Sequence, residues 1–339
     1  MAFIFIHILI IFSIIIPCRI IGQEGGFEEK PIFTQIREVD IPESKSQSTQ
    51  KARIWIPKGG SKSPMPLIVV LHTWSGNYRQ NKFGGGPVPG MVSVLNECSK
   101  KGWAMVMPDF RGPNKRPEAC ASDLAIRDVL DAVHYMKSCW NIDSKKIYLY
   151  GVSGGGHMAL MMVARHPELW NGVSSWVPIT DLAAWHEQCR ISGRKYYKDL
   201  ELVCGGKPGA NKKVDNNYYK RSPLNFLSRT ALSEVRIQIN AGINDGYDGS
   251  VPVSHTLLAF NELAEANNQS QNKISQELLA HIVGNRHVPR NFVHNGKGFM
   301  GRKKKVLFYR KAGNATVTIF DGGHEGDVSG AFHFFSGNP

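Results

Sequence analysis

The stretch Lys146-Ile-Tyr-Leu-Tyr-Gly151-Val-Ser153-Gly-Gly-Gly-His157-Met-Ala-Leu-Met-Met-Val-Ala-Arg165 decides the fold. Its opening is an apolar, aromatic-rich run suited to a strand, and from Gly156 onward the apolar residues suit a helix. A strand that reverses into a helix within a few residues forces its apex into a positive-φ conformation, which small neighbours make tolerable. Gly-x-Ser-x-Gly in that setting is a nucleophile elbow. It lifts the Ser153 hydroxyl clear of the backbone at a helix N-terminus.

Outward from the elbow, strand and helix patterns alternate. Pro66 to His72 and Trp103 to Pro108 are continuous apolar runs, the pattern of strands buried on both faces. Phe33 to Ile41 and Ala52 to Pro57 alternate instead, which predicts an antiparallel N-terminal edge. Ser122-Asp123 reads as a helix cap, followed by Leu124, Ile126, Val129, Leu130, Val133 and Met136 at helical spacing. Val173–Ile179 and Val235–Ala241 read as further strands, Ser254–Ala266 and Asn272–His281 as helices, and Val306–Tyr309 with Ala315–Phe320 as closing strands. The polar stretch from Gly284 to Gly301 reads as a surface loop.

The pattern therefore predicts an α/β fold. A mostly parallel central sheet carries helices on both faces, in a single domain over about 30–339. Two insertions interrupt it, at about 181–233 and 267–303. The first, rich in charge and aromatics, is expected as a lid over the C-terminal edge of the sheet, where ligands bind in open α/β folds.

Phe3 to Ile16 is an almost unbroken apolar run, short for a membrane span but suited to the core of a signal peptide over 1–22. It predicts a secreted or periplasmic protein with no stable membrane insertion once the leader is removed; an N-terminal anchor is the alternative. Beyond the leader stand Cys98, Cys120, Cys139, Cys189 and Cys204, an odd set, so at least one thiol stays free. Cys189 and Cys204 flank a short polar segment and are the expected disulfide pair; closing such a loop contributes roughly 3 kcal/mol in the chain-entropy model.

The 41 Lys and Arg against 28 Asp and Glu give a net charge of +13. That charge attracts anionic polymers without naming one. Arg302-Lys-Lys-Lys305 and Lys212-Lys213 lack the interleaved aromatics of a nucleic-acid reader, so no nucleic-acid partner is expected. No His and Cys cluster has metal-ligand spacing, and Phe83-Gly-Gly-Gly-Pro87 lacks the Lys-Ser/Thr ending of a phosphate loop. Neither a metal nor another cofactor is expected.

A serine hydroxyl needs a base to take its proton, and the base needs a carboxylate to hold its tautomer. Among 12 histidines, His324 lies in the glycine-rich turn Phe320-Asp-Gly-Gly-His-Glu-Gly326 after the last strand, where a loop can reach the elbow. His157, on the elbow helix, reads as a packing residue. The acid should leave the strand between elbow and histidine. Gly242-Ile-Asn-Asp245-Gly-Tyr-Asp248 offers two candidates, with Asp245 preferred, Asp248 the alternative acid and Asp181 a third. Oxyanion donors are expected from the Gly154 N–H and from Thr73 or Trp74 after the first parallel strand.

These motifs resemble the α/β-hydrolase superfamily, specifically its prolyl oligopeptidase-like branch, which also contains acetyl and other carbohydrate esterases. The resemblance rests on Leu71-His-Thr-Trp-Ser-Gly76, Pro108-Asp-Phe-Arg-Gly-Pro113, Gly151 to His157, Ser222-Pro223, Ala241 to Gly246 with Val251-Pro252, and Gly322-Gly-His-Glu325. It implies an α/β-hydrolase fold and a Ser153–His324–Asp245 acyl-enzyme mechanism. Two departures stand out: Thr73-Trp74 replaces the His-Gly pair of many members, and the Asp245 to His324 interval is lengthened by 267–303.

Prolyl oligopeptidases restrict access with an N-terminal propeller, and the segment ahead of the first predicted strand is too short to form one. An exported esterase acting on a small-molecule or polysaccharide ester, with acylated or methylated carbohydrate foremost, is therefore the first expectation. Trp74, Trp176 and Trp185 are candidates to stack on sugar rings. A small peptidase is the second expectation and a non-catalytic binder the third.

Overall fold

In the computed structural model the described residues are 35–59, 63–79, 89–231, 233–293 and 299–337. The expected leader at 1–22 and the glycine-rich stretch at 83–87 lie outside them.

The strands are β1 (Arg37–Pro42), β2 (Thr49–Trp55), β3 (Met65–Leu71), β4 (Ala104–Pro108), β5 (Ile142–Val152), β6 (Gly172–Trp176), β7 (Arg236–Gly242), β8 (Val306–Ala312) and β9 (Ala315–Phe320). They form one 9-stranded sheet in the order β1-β2-β4-β3-β5-β6-β7-β9-β8. From β4 to β9 every neighbouring pair is parallel, while β1/β2 and β2/β4 are antiparallel. The predicted antiparallel start is therefore present. Every residue of β4 and β6 is buried, as strands covered on both faces require.

The other edge is antiparallel as well, which the strand pattern alone does not reveal. β8 and β9 are joined only by Gly313-Asn314, and Gly313 takes φ +61°. A two-residue connection can make only a hairpin, so β8 must run against β9.

The helices are α1 (Pro89–Lys101), α2 (Asp123–Cys139), α3 (Gly154–Arg165), α4 (Leu182–Ile191), α5 (Tyr196–Cys204), α6 (Lys212–Arg221), α7 (Ser254–Ala266), α8 (Gln276–Asn285) and α9 (Val328–Phe335). α2 and α3 bury their apolar stripes with the β3, β5 and β7 side chains of one core cluster. α1 and α9 do the same in a second cluster containing Trp103, Tyr148 and Trp176. The predicted cap holds: Ser122 accepts from the Ala125 N–H and starts α2. The helix expected at 272–281 starts later, because Ser275 caps it by accepting from the Leu278 N–H.

The segment 181–233 folds as α4, α5 and α6 followed by short 3-10 turns at Pro223–Asn225 and Leu227–Thr230. Its buried side chains form their own cluster around Trp74, Trp185 and Tyr218. No described helix is long and apolar enough to cross a membrane.

Candidate active site

Three loops leave the sheet at the same edge and converge. Val152 is the last residue of β5 and pairs with Trp176 of β6, so Ser153 stands immediately beyond the sheet. Gly242 of β7 pairs with Phe320 of β9. The two chains stay together beyond that pair, Ile243 N–H donating to the Phe320 carbonyl and Asn244 N–H to that of Gly322. Asp245 and His324 thus follow adjacent parallel strands by nearly equal steps. The lengthened interval between them leaves this pairing intact.

Ser153 holds φ +60°, ψ −120°, the strained apex predicted from the motif. Its N–H donates to the Trp176 carbonyl at 2.9 Å, and its carbonyl accepts from the His157 N–H at 2.9 Å. The glycines are there for close approach. A Cβ on Gly155 would lie 2.4 Å from the Leu71 carbonyl oxygen, and one on Gly151 would lie 2.1 Å from that of Gly155.

His324 Nε2 is 2.8 Å from Ser153 Oγ, and His324 Nδ1 is 2.8 Å from Asp245 Oδ2. Asp245 is buried, and its other oxygen accepts the N–H groups of Gly246 at 2.9 Å and Val251 at 3.1 Å. The carboxylate is locked from both sides. In this arrangement His324 Nδ1–H donates to Asp245, which leaves Nε2 to accept from the serine hydroxyl.

Asp248 is exposed and makes no contact with His324 among the described interactions; its N–H closes a turn onto the Asn244 carbonyl. Asp181 caps α4, accepting from the Ala183 and Ala184 N–H groups. Of the three candidate acids only Asp245 meets the histidine. His157 is buried, with Nε2–H donating to the Arg221 carbonyl at 2.7 Å. Burial pulls its pKa down to about 4, so it is a neutral packing group.

For the oxyanion donors, a Cβ on Gly154 would stand 2.5 Å from the Trp74 backbone nitrogen. The two main chains are therefore in contact at Trp74. Thr73 is exposed, and its carbonyl is taken up by the Gly76 N–H and the His72 ring. Trp74 is the better placed of the pair.

Two further site residues carry no motif of their own. Ser250 Oγ lies 3.4 Å from His324 Nε2. Gly249 touches the triad so closely that a Cβ there would lie 2.1 Å from Asp245 Oδ1 and 2.5 Å from His324 Cβ. The glycine spacing in Asp245-Gly-Tyr-Asp-Gly-Ser250 was the available signal.

The expected sugar-stacking tryptophans are not surfaces. Trp74, Trp176 and Trp185 are 2%, 1% and 0% exposed. Trp185 packs edge-on against Trp74 with ring centroids 4.8 Å apart, stacks on Tyr196, and donates from Nε1 to the Ser250 carbonyl. Trp74 Nε1 donates to Asp199 of α5 at 3.1 Å. These rings fasten α4 and α5 to the site loops. Trp176 lies in the core beside Phe320.

The expected Cys189–Cys204 disulfide is absent as well: both thiols are free, as are Cys98 and Cys120. Cys189 and Cys204 are packed into the apolar cluster of α4 to α6. Burial pushes both up to about 12, which keeps them protonated and unreactive. Apolar packing does the joining for which a covalent link was expected. Among the described residues no group of three or more His, Cys, Asp or Glu could hold a metal ion.

A serine with a histidine at proton-transfer distance and a buried carboxylate behind it can carry out nucleophilic acyl transfer. Comparison with known proteins places the fold and the family. The acylaminoacyl peptidase of Pyrococcus horikoshii matches with a TM-score of 0.52 at 15% identity, over 68% of this chain and 35% of that one. A puromycin-hydrolyzing peptidase of Mycobacterium tuberculosis matches with 0.52 at 16%, over 68% and 34%. A prolyl endopeptidase matches with 0.54 at 15%, over 89% and 38%. At these identities the likeness is one of fold, and the chain spans about a third of the length of the solved structures it matches. The prolyl oligopeptidase family is matched directly over residues 92–304, a span that contains the elbow and the acid loop. By that match, across more than half of its length, the chain belongs to the prolyl oligopeptidase family.

Proposed function

We propose that the protein is a serine hydrolase that cleaves peptide or aminoacyl amide bonds of small substrates through an acyl-enzyme. The observation that carries this reading is the continuous relay from Ser153 through His324 to Asp245, with both contacts at 2.8 Å. His324 takes the proton of Ser153 as Oγ attacks the carbonyl, and Asp245 stabilises the imidazolium that forms. The Gly154 and Trp74 N–H groups receive the oxyanion. As the tetrahedral intermediate collapses, His324 passes the proton to the leaving amine. Water, activated by the same histidine, then releases the acid and restores Ser153.

Peptide over carbohydrate ester reverses the order expected from the sequence. Family membership and the peptidase names of the matched structures support the reversal. Burial of all three tryptophans removes the feature that favoured sugars. The apolar run at Phe3 to Ile16 supports export as the setting.

The test is hydrolysis of a panel of aminoacyl p-nitroanilides against acetylated and methylated sugars, with wild type and Ser153→Ala. Anilide cleavage that falls by roughly a million-fold in kcat on losing the nucleophile is the expected result. Deacetylation of sugars by an enzyme inert to every anilide would reject the peptidase reading.

A further inference from the structure

Ser250 is held from three sides, and its hydroxyl is left beside the nitrogen that carries the proton. The residue before it, Gly249, packs so tightly on the acid that a Cβ there would lie 2.1 Å from Asp245 Oδ1. The residue after it, Val251, donates its N–H to that same oxygen at 3.1 Å. The Ser250 carbonyl accepts from Trp185 Nε1 at 2.8 Å. The loop is thus wrapped around the carboxylate that grips His324 Nδ1, and the Ser250 side chain meets the ring at its other nitrogen.

Two hydroxyls therefore approach Nε2, Ser153 Oγ at 2.8 Å and Ser250 Oγ at 3.4 Å. A neutral ring with its proton on Nδ1 has one lone pair on Nε2, and the closer hydroxyl takes it. The longer contact has no proton to receive in the resting enzyme. That changes once Ser153 gives its proton up. Its Oγ is then bonded to the substrate carbonyl carbon, and the imidazolium presents an Nε2–H that needs an acceptor. Among the described residues, Nε2 is the polar atom that Ser250 Oγ meets, so the lone pairs of this hydroxyl are not spent elsewhere in the fold.

We propose that Ser250 is a second working hydroxyl of the site, accepting a share of the Nε2–H bond whenever His324 is protonated. That role rests on the acyl-enzyme mechanism proposed for this site. In acylation the Ser153 proton moves to Nε2 as Oγ bonds the carbonyl carbon and the carbonyl π pair moves to oxygen. The proton then leaves with the amine as the carbon–nitrogen bond breaks. Ser250 neither gains nor loses a proton. It steadies the cation and draws the N–H away from Ser153, and attack of water on the acyl-enzyme forms the same cation a second time. Catalytic contacts of this kind are often long before substrate arrives and tighten in the reacting complex.

Phosphonylation of Ser153 by a fluorophosphonate probe isolates this step without a choice of natural substrate: the Ser153 proton goes to Nε2, an O–P bond forms and fluoride departs. Second-order labelling rates are compared for wild type, Ser250→Ala, Ser250→Thr and Ser250→Val, the last two differing chiefly in the hydroxyl. The Ala and Val variants should label about tenfold more slowly, the modest end for a hydrogen bond to a charged group, and Thr within about threefold of wild type. On an aminoacyl p-nitroanilide the loss should fall on kcat with KM little changed. Urea midpoints of wild type and Ser250→Ala should coincide, because Ser250 is only half-buried and its backbone clamps remain. Equal labelling of wild type and Ser250→Ala, or Thr as slow as Val, would overturn the role of Ser250 and leave the triad standing. A wild type that the probe does not label would overturn both.

Discussion

The loops that carry Ser153, Asp245 and His324 and the helical segment α4 to α6 meet at one edge of the sheet but are held in different ways. Around the triad the main chain decides. Strand pairs end together, backbone N–H groups clamp Asp245, and glycines stand where any Cβ would collide. In α4 to α6 side chains decide, with Trp185 against Trp74 and Tyr196, and free thiols packed among aliphatic groups. Backbone constraint places reacting atoms to within tenths of an ångström, as catalysis needs. Side-chain packing holds a cover whose shape can change with composition while the chemistry beneath it stays put.

The largest effect that could break this contrast lies in the acid. Asp245→Asn should lower kcat by about 10⁴-fold, because an amide cannot hold the histidine in its working tautomer. Asp248→Asn should leave kcat nearly unchanged, since that side chain is exposed and away from the ring. Steady-state rates on one anilide decide the matter, and a reversed order would mean that the Asp245 contact is not the working one.

Next comes Trp185→Ala, which tests whether the cover is held by packing. Removing a fully buried indole should cost about 3–5 kcal/mol in urea unfolding. A substrate-stacking role would instead raise KM with stability unchanged, and that outcome would return the tryptophan to the binding surface.

The smallest effect concerns pH and the contrast between two histidines near Ser153. His157 is buried and neutral, with a pKa of about 4 folded against 6.5 for an ordinary histidine. The unfolded chain therefore binds the extra proton between those values, and stability contributed by this group is lost as pH falls from 6.5 toward 4. The loss is on the order of 3 kcal/mol. Urea midpoints at pH 7 and pH 4.5 should show a shallower decline for His157→Gln than for wild type. Equal slopes would mean that His157 is not shielded from water.

Much of the strand order and the serine, histidine and acid candidates are legible in the sequence. Positions such as Ser153 and His324 are legible because a strained turn needs a particular run of glycines, and the strand and helix on either side have their own periodicity. The α2 cap at Ser122 was legible for the same local reason. The antiparallel β8 edge was harder to see, since it follows from the length of one turn rather than from the strand itself. Trp74, Trp176 and Trp185 misled because an indole near a strand end has one composition whether it faces solvent or core. Cys189 and Cys204 misled because spacing along a chain does not report how helices pack.

By itself the sequence determined the order of the strands, the helices that follow Ser122 and Ser153, the serine at the elbow, a short roster of acids and a single well-placed histidine. Those are consequences of local geometry, which nearby residues enforce. Only the tertiary structure set Asp245 rather than Asp248 against the histidine, brought the Trp74 rather than the Thr73 main chain against the elbow, buried the tryptophans and left two donors of Arg302 without an acceptor among the described residues. Each of those depends on which strands lie side by side and which side chains share a cavity, and such neighbours are distant along the chain.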